Sequence, residues 1–410
     1  VRNFFYQIEH YGMVLNGNRT YYYGRSQPPL LSSMVRAIFD HQMQVNKDPD
    51  DAHEWLYESL QYLAKEYRVW EKHAFVQVST HKSDKLAHYF DLFNKVSPEA
   101  IGEAGYAEKC FGNPIDQLQF KDPKYNHLFI EINGKRYFKR ELTQEEINKF
   151  ENPLLSKGFS DIKRNTLLTY KHDAAERSSG TDISRVAFEN QCADINPVCL
   201  NTLLYKLLND LAFVTAELPN MGNEHEKWVH KASHMRRVIK KNLYDPKTGL
   251  YRNKNYKTGN FTEEPFITIV YPLTFNLASA QEAKCIAKYI IENHLTPYGI
   301  KNVRTPGQDQ WDHIWPIMNY FVNKGFRLYG SLKVTVHGRT HLLSDWAKEI
   351  AVRYVNHLAF MNERTGTFHE KLNAADGSFQ FEHQHYGNMD QFTWTASVFI
   401  SLLKRIRDEE

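Results

Sequence analysis

Four polar strings in this 410-residue chain hold the residue types that catalysis at a sugar needs: carboxylates, amides and guanidinium groups near aromatic rings. The first is Asn16-Gly17-Asn18-Arg19, followed by Arg25-Ser26-Gln27-Pro28-Pro29. Gly17 permits a tight turn there, and the two prolines stiffen the entry to a helix. The second runs from His172 to Arg185 and reads as a polar loop carrying Asp173, Glu176 and Asp182 around Gly180. The third is Gln308-Asp309-Gln310-Trp311-Asp312-His313-Ile314-Trp315-Pro316, and the fourth is Thr367-Phe368-His369-Glu370-Lys371-Leu372-Asn373, with Glu382, Phe392 and Trp394 downstream. Each also has a plain structural reading. The first and second suit exposed polar loops, Asp312 suits a helix cap, and Glu370 with Lys371 suits a surface ion pair.

Other chemistries lack their residues. No Gly-rich phosphate loop, GxSxG elbow or HExxH string occurs. His313 has no second histidine or carboxylate at a metal-ligand spacing, so it reads as a structural hydrogen-bonding group. Cys110, Cys192, Cys199 and Cys285 form no CxxC pair and are too few to staple a chain this long, which points to reduced, buried thiols in a cytoplasmic protein. The sequons at Asn18 and Asn260 are short enough to arise by chance. What remains as the first enzyme reading is acid and base work by carboxylates.

These strings must be held by helices. Leu31, Met34, Val35 and Ile38 recur at helical spacing after Pro29, residues 51–72 carry Trp55, Leu56, Leu60, Leu63 and Tyr67 on one side, and Leu200 to Val214 mark a long apolar helix that stops before Pro219. The spacing predicts further helices over 224–243, 278–294, 312–329, 343–361 and 387–406. The exception is Leu128 to Phe138, where Asn133-Gly134 between two β-prone runs signals a tight hairpin. Residues 110–165 therefore read as an excursion from the helical body, with a short acidic helix at 142–150, inside a single unit of residues 1–410. An internal echo pairs Tyr244-Asp245-Pro246-Lys247-Thr248-Gly249-Leu250-Tyr251 with Asn362-Glu363-Arg364-Thr365-Gly366-Thr367-Phe368, which suggests helix pairs closed by similar turns.

Composition narrows the partners. With 42% hydrophobic, 24% charged and 14% aromatic residues and a net charge of +3, the chain can bury a large core and shows no basic patch for nucleic acid and no apolar run for a membrane. Most rings are expected in that core. Trp311 and Trp394, with Trp315 and Phe392 behind them in order of expectation, are the ones anticipated at a pocket.

At the four strings the sequence resembles the inverting α,α-trehalases of glycoside hydrolase family 37 and their (α/α)6-barrel relatives. The N-G-N-R string with R-S-Q-P-P is similar to the trehalase glucose-binding loop, and HDAAERSSGTDISR, followed by Cys192-Ala193-Asp194 and Leu203-Leu204-Tyr205-Lys206, to the acid-bearing segment of neutral trehalases. Gln310-Trp311-Asp312 resembles the second trehalase signature, and Phe368-His369-Glu370-Lys371 the segment with the base. The resemblance covers residues 3 to about 405 in family order. It implies an all-α toroid of helical hairpins, Asp182 as general acid and Glu370 as general base, with no metal and no organic cofactor needed. It also implies a sugar pocket bordered by Asn16, Arg25, Gln27, Gly180, Gln310, Trp311, Asp312 and Trp394, with Glu382 as a further carboxylate.

The departures are equally specific. The family's first signature, a P-G-G-R-F segment with a Trp-Asp pair, has no counterpart, so one or two barrel helices and part of the sugar site are expected to lie outside this chain. The family's substrate-contacting arginine and glutamate are not found at 163–172. Ser178 stands where the acid segment usually has Glu. The stretch after Trp311-Asp312 is shortened, and the final Gly-rich loop is replaced by Phe381-Glu382-His383-Gln384-His385-Tyr386. The substrate implied is a disaccharide or small α-glucoside, trehalose first. A relative acting on oligosaccharide glucose or glucosylglycerate, or a sugar-binding homologue or fragment without activity, is the alternative.

Overall fold

Helix periodicity with proline and glycine stops dominates the chain, and the computed structural model of the protein is mostly helical among its described residues, 1–45, 50–93, 126, 129–132, 134–138, 171–181, 185–306, 310–381 and 388–408. The main helices are α1 (Arg2–Tyr11), α2 (Leu31–Val45), α3 (Asp50–His73), α4 (171–178), α5 (Val198–Glu217), α6 (Gly222–Leu243), α7 (Ala280–Asn293), α8 (Pro316–Leu328), α9 (Leu343–Thr365) and α10 (Thr393–Arg407). Consecutive partners α2 and α3, α5 and α6, and α8 and α9 pack together, while α5 also meets α2 and α3, and α10 lies against α8 and α9. No described helix is long and apolar enough to cross a membrane.

Helix α5 is buried on nearly every side, as its run of Leu and Val requires. Its buried amide Asn201 is fully used. The Asn201 Oδ1 accepts from the Ala87 N–H at 2.8 Å, and the Nδ2 donates to the carbonyls of Ala87 at 2.9 Å and Pro197 at 2.8 Å. Asn196, just before α5, donates to Leu86 and Ala87. These amides fasten the strand Lys85–Ala87 to α5 and so fix the loop that follows, residues 88–93.

The hairpin forms where Asn133-Gly134 places it, with Phe129–Ile132 antiparallel to Lys135–Phe138 and Phe129 opposite Phe138. The acidic helix expected at 142–150, Cys110 and most of the 110–165 excursion lie outside the described residues. The echoed turns also form. Tyr244–Asp245 pairs with Leu250–Tyr251 across Gly249 (φ +71°), and Gly366 (φ +72°) caps α9 with its N–H on the Asn362 carbonyl. A third turn that the pattern did not predict joins Leu295–Thr296 to Gly299–Ile300. Cys192 and Cys199 are buried, whereas Cys285 is partly exposed, against the expectation of burial for all.

Two helix starts differ from the periodicity. α8 begins at Pro316 with Trp315 as its N-cap, so Asp312 is not the cap and belongs to a preceding 3₁₀ turn, Gln310–Asp312. Proline preset for the first helical turn explains the shift. α10 begins at Thr393 rather than 387.

Candidate active site

The first polar string folds as a loop closed on itself. The Asn16 N–H donates to the Arg25 carbonyl at 2.8 Å, and the Arg25 guanidinium donates twice to Asn16 Oδ1, at 2.8 and 3.1 Å. The same guanidinium lies over the Tyr22 ring, 4.8 Å from its centroid. Arg25 is buried, which puts a planar cation inside the loop where it orients the amide. The loop is tied to its neighbours: the Leu92 N–H donates to the Gly24 carbonyl, and Gln27 Nε2 donates to the Arg177 carbonyl at 3.4 Å.

The second string corrects its sequence reading. Residues 171–178 form α4 instead of an exposed loop, and Asp173, Glu176, Arg177 and Ser178 are all buried. Asp173 and Arg177 pair one turn apart at 3.2 Å, and Ser178 Oγ donates to the Phe90 carbonyl at 2.8 Å, so the charges and hydroxyl that suggested solvent are partnered in the interior. The helix ends at Gly180, whose φ of +71° leaves its α-carbon facing Gln27. A methyl added there would stand 2.8 Å from Gln27 Oε1. Gly180→Ala is therefore expected to displace Gln27 and to cost about 1–2 kcal/mol of stability, measurable as a lower urea midpoint with an unchanged m-value.

The third and fourth strings are layered together. Ile314 and Leu372 exchange backbone hydrogen bonds at 3.0 and 3.1 Å, which sets Glu370 and Lys371 beside the tryptophans. Trp311 and Trp315 stack at 3.7 Å and 4°, and Trp394 leans on Trp315 at 6.3 Å. Lys371 is fully buried. Its Nζ donates to Glu370 Oε2 at 2.6 Å and sits 5.3 Å from the Trp315 ring centroid. Burial pulls the Lys371 ammonium below the usual lysine range, and Glu370 opposes that fall. His313 is held near pKa 4 by burial, with the Lys371 charge as the second cause. It is thus neutral, and its Nδ1 accepts the Ala374 N–H at 3.1 Å, the structural role its isolation in sequence suggests.

One cavity of about 250 Å³ gathers much of this. Asn16, Gln27, Gly180, Trp311 and Trp394 line it together, although they come from positions up to 378 residues apart by their numbering. Arg25 acts on it through Asn16. Among the described residues Glu370 does not line it, but is joined to its tryptophan wall by Lys371. Asp312 is buried in the turn beside Trp311, and Trp315 and Phe392 pack behind Trp311 and Trp394. Asp182 and Glu382, and the side chain of Gln310, lie outside the described residues. Thr181, the neighbour of Asp182, does line the cavity. Sequence reasoning missed Glu66, Tyr89, Thr268 and Tyr271, which also line it. For Glu66 a signal existed: a carboxylate in step with Leu56, Ser59, Leu63 and Trp70 on the buried face of α3. Among the described residues no group of three or more His, Cys, Asp or Glu is placed to hold a metal ion.

Ring faces, oriented amides and a carboxylate paired with an ammonium are the equipment for gripping a sugar and moving a proton beside it. Comparison with known proteins agrees on the lineage, since residues 1–118 and 139–407 match the trehalase family. The chain belongs to the trehalase family. Within this family it is 24% identical over its whole length to a periplasmic trehalase of Salmonella newport and 27% identical over 69% of its length to a cytosolic neutral trehalase of Kluyveromyces lactis. It spans 62% of the former protein and 34% of the latter. Among solved structures, the neutral trehalase of Saccharomyces cerevisiae superimposes with a TM-score of 0.69 at 21% identity, covering 98% of this chain and 66% of the yeast chain. An uncharacterized conserved protein of Thermus thermophilus superimposes with a TM-score of 0.51 at 17% identity, covering 93% of this chain and 78% of that one. These two likenesses describe the fold. Three of the four polar strings read from the sequence supply residues to the cavity wall.

Proposed function

We propose that this trehalase-family chain hydrolyses the α,α-1,1 glycosidic bond of trehalose with inversion, in a closed (α/α)6 barrel of helical hairpins. The observation that carries this reading is the convergence of Asn16, Gln27, Gly180, Trp311 and Trp394, from three separate strings and the helix that follows the fourth, on one cavity. The barrel is supported by the packing of consecutive helices in pairs and by α10 returning against α8 and α9. A cytoplasmic location accords with the burial of Cys192 and Cys199 and with the resemblance of the acid segment to that of neutral trehalases.

In this mechanism Asp182 is the general acid. It must carry a proton at working pH and deliver it to the oxygen that leaves, while Glu370 takes a proton from water on the opposite face of the ring. Inverting enzymes separate two such carboxyls by roughly 6.5–9.5 Å to admit that water. Lys371 supports the base by a charge-assisted hydrogen bond from its ammonium to Glu370 Oε2, which fixes the position of the carboxylate. Arg25 acts as a positioning residue, holding the Asn16 amide toward the sugar hydroxyls. Trp311, backed by Trp315, supplies a ring face.

Proton NMR of fresh turnover tests the reading. Equal first signals of α- and β-glucose from trehalose are the expected result, since inversion converts one ring and leaves the other. Only α-glucose would overturn the inversion, and no glucose would overturn the activity.

A further inference from the structure

Most buried carboxylates among the described residues outside α4 are matched by cations. Asp194 meets Lys257 at 2.7 Å, Glu282 meets Lys240 at 2.8 Å, Asp210 pairs with Lys206, and Glu370 meets Lys371. Glu66 has no such partner. It lies at the middle of α3, 4% exposed, between the fully buried Leu63 and the 2% exposed Trp70. Its Oε2 is shut off from the exterior, and no protein group hydrogen-bonds it. Yet Glu66 lines the same cavity as Asn16, Gln27, Gly180, Trp311 and Trp394.

The wall around it offers little polar relief. Phe4, Leu31, Phe266 and Phe321 present carbon, and no Lys, Arg or His lines the cavity among the described residues. The other titratable groups there are Tyr89, Tyr271 and Cys199. Tyr89 and Cys199 already satisfy each other at 3.4 Å, and burial holds all three in their neutral forms. A carboxyl left in such surroundings keeps its proton: burial alone pushes Glu66 up to about 8. In that form it has one O–H to donate and a carbonyl oxygen to accept with. An isolated buried carboxyl is costly to a fold, and a Leu would fill the stripe position better. A group kept at that cost on a cavity wall suits the occupant of the cavity. The amides nearby are less available, since Asn16 Oδ1 is engaged by Arg25 and Gln27 Nε2 by the Arg177 carbonyl.

We propose that Glu66 is a substrate-contacting residue, its carboxylic acid hydrogen-bonding a hydroxyl of the bound sugar from α3. This rests on the trehalose reading above and adds to it a contact from a helix outside the four polar strings.

The test compares Glu66→Gln and Glu66→Leu with the wild type, using trehalose and its monodeoxy analogues. Glu66→Gln, which keeps a donor and an acceptor, is expected to stay within about threefold of the wild-type KM. Glu66→Leu is expected to raise KM about tenfold, the worth of one hydrogen bond to a buried group, while Tm stays level or rises. A purely structural role would lower Tm and impair both kinetic constants together. The decisive readout is the analogue series: one monodeoxy trehalose should bind wild type and Glu66→Leu equally, because each then lacks one side of the same bond. A wild type that turns over trehalose alongside a Glu66→Leu protein with wild-type KM, or with the same loss for every analogue, would overturn the contact alone. A wild type that neither binds nor cleaves trehalose would overturn the functional reading instead, and the sugar contact with it.

Discussion

Replacing Glu370 by Gln is expected to cut kcat for trehalose by about 10²–10⁴-fold, the range that a positioned general base supplies. The amide occupies the same space but cannot take a proton from water, so KM should change far less than kcat. Asp182→Asn should fall by a comparable factor, since inversion needs both carboxyls. Initial rates of glucose release measure both. The Glu370 change has a second consequence that separates it from a surface substitution. Lys371 is fully buried and donates to Glu370 Oε2 at 2.6 Å, so the variant leaves an ammonium in the interior without that carboxylate. Thermal unfolding of Glu370→Gln should therefore occur at lower temperature. A variant with wild-type kcat would remove Glu370 from the mechanism.

Lys371→Met reverses the imbalance and is expected to be nearly as damaging. The carboxylate of Glu370 loses its ammonium in a site where it is 6% exposed, and breaking a buried pair from one side costs about 3–5 kcal/mol. Turnover should fall along with stability, because the ammonium that holds the base in place is gone. The double variant Glu370→Gln/Lys371→Met removes both charges and should regain stability relative to either single change without regaining turnover. Urea unfolding of the four proteins, with initial rates of the wild type and Lys371→Met, checks this. A Lys371→Met enzyme with wild-type kcat would deny Lys371 any part in holding the base.

How much of this was readable beforehand depends on what each residue hides. Apolar spacing with Pro29, Pro219 and Gly366 as punctuation announces the helices, because a buried stripe must repeat every three to four residues whatever lies beneath it. Asn133-Gly134 announces its hairpin because a tight turn needs those backbone angles. The residues Asp173, Glu176 and Arg177 misled, since pattern alone does not tell a charge facing water from one facing its partner one turn away, as Asp173 faces Arg177. Glu370 and Lys371 show the same ambiguity in a sharper form. The ion pair that a surface reading expects does exist, but it is in the interior against Trp315. Glu66 was concealed by the very stripe that identified α3. Asp312 lost its expected cap because Pro316 begins the helix one turn later.

The amide clamp of Asn201 on Ala87 joins residues 114 apart in the chain. Closing a loop of that length costs roughly 4 kcal/mol of chain entropy before any contact rewards it. The loop at 88–93 leads from that clamp to the carbonyl of Phe90, which receives the Ser178 hydroxyl, and to the N–H of Leu92, which donates to the Gly24 carbonyl. Local helices can form early, but the cavity has no partial version, because its walls meet only after these distant closures are made. Refolding should therefore separate in time, with helical signal appearing well before the capacity to bind sugar.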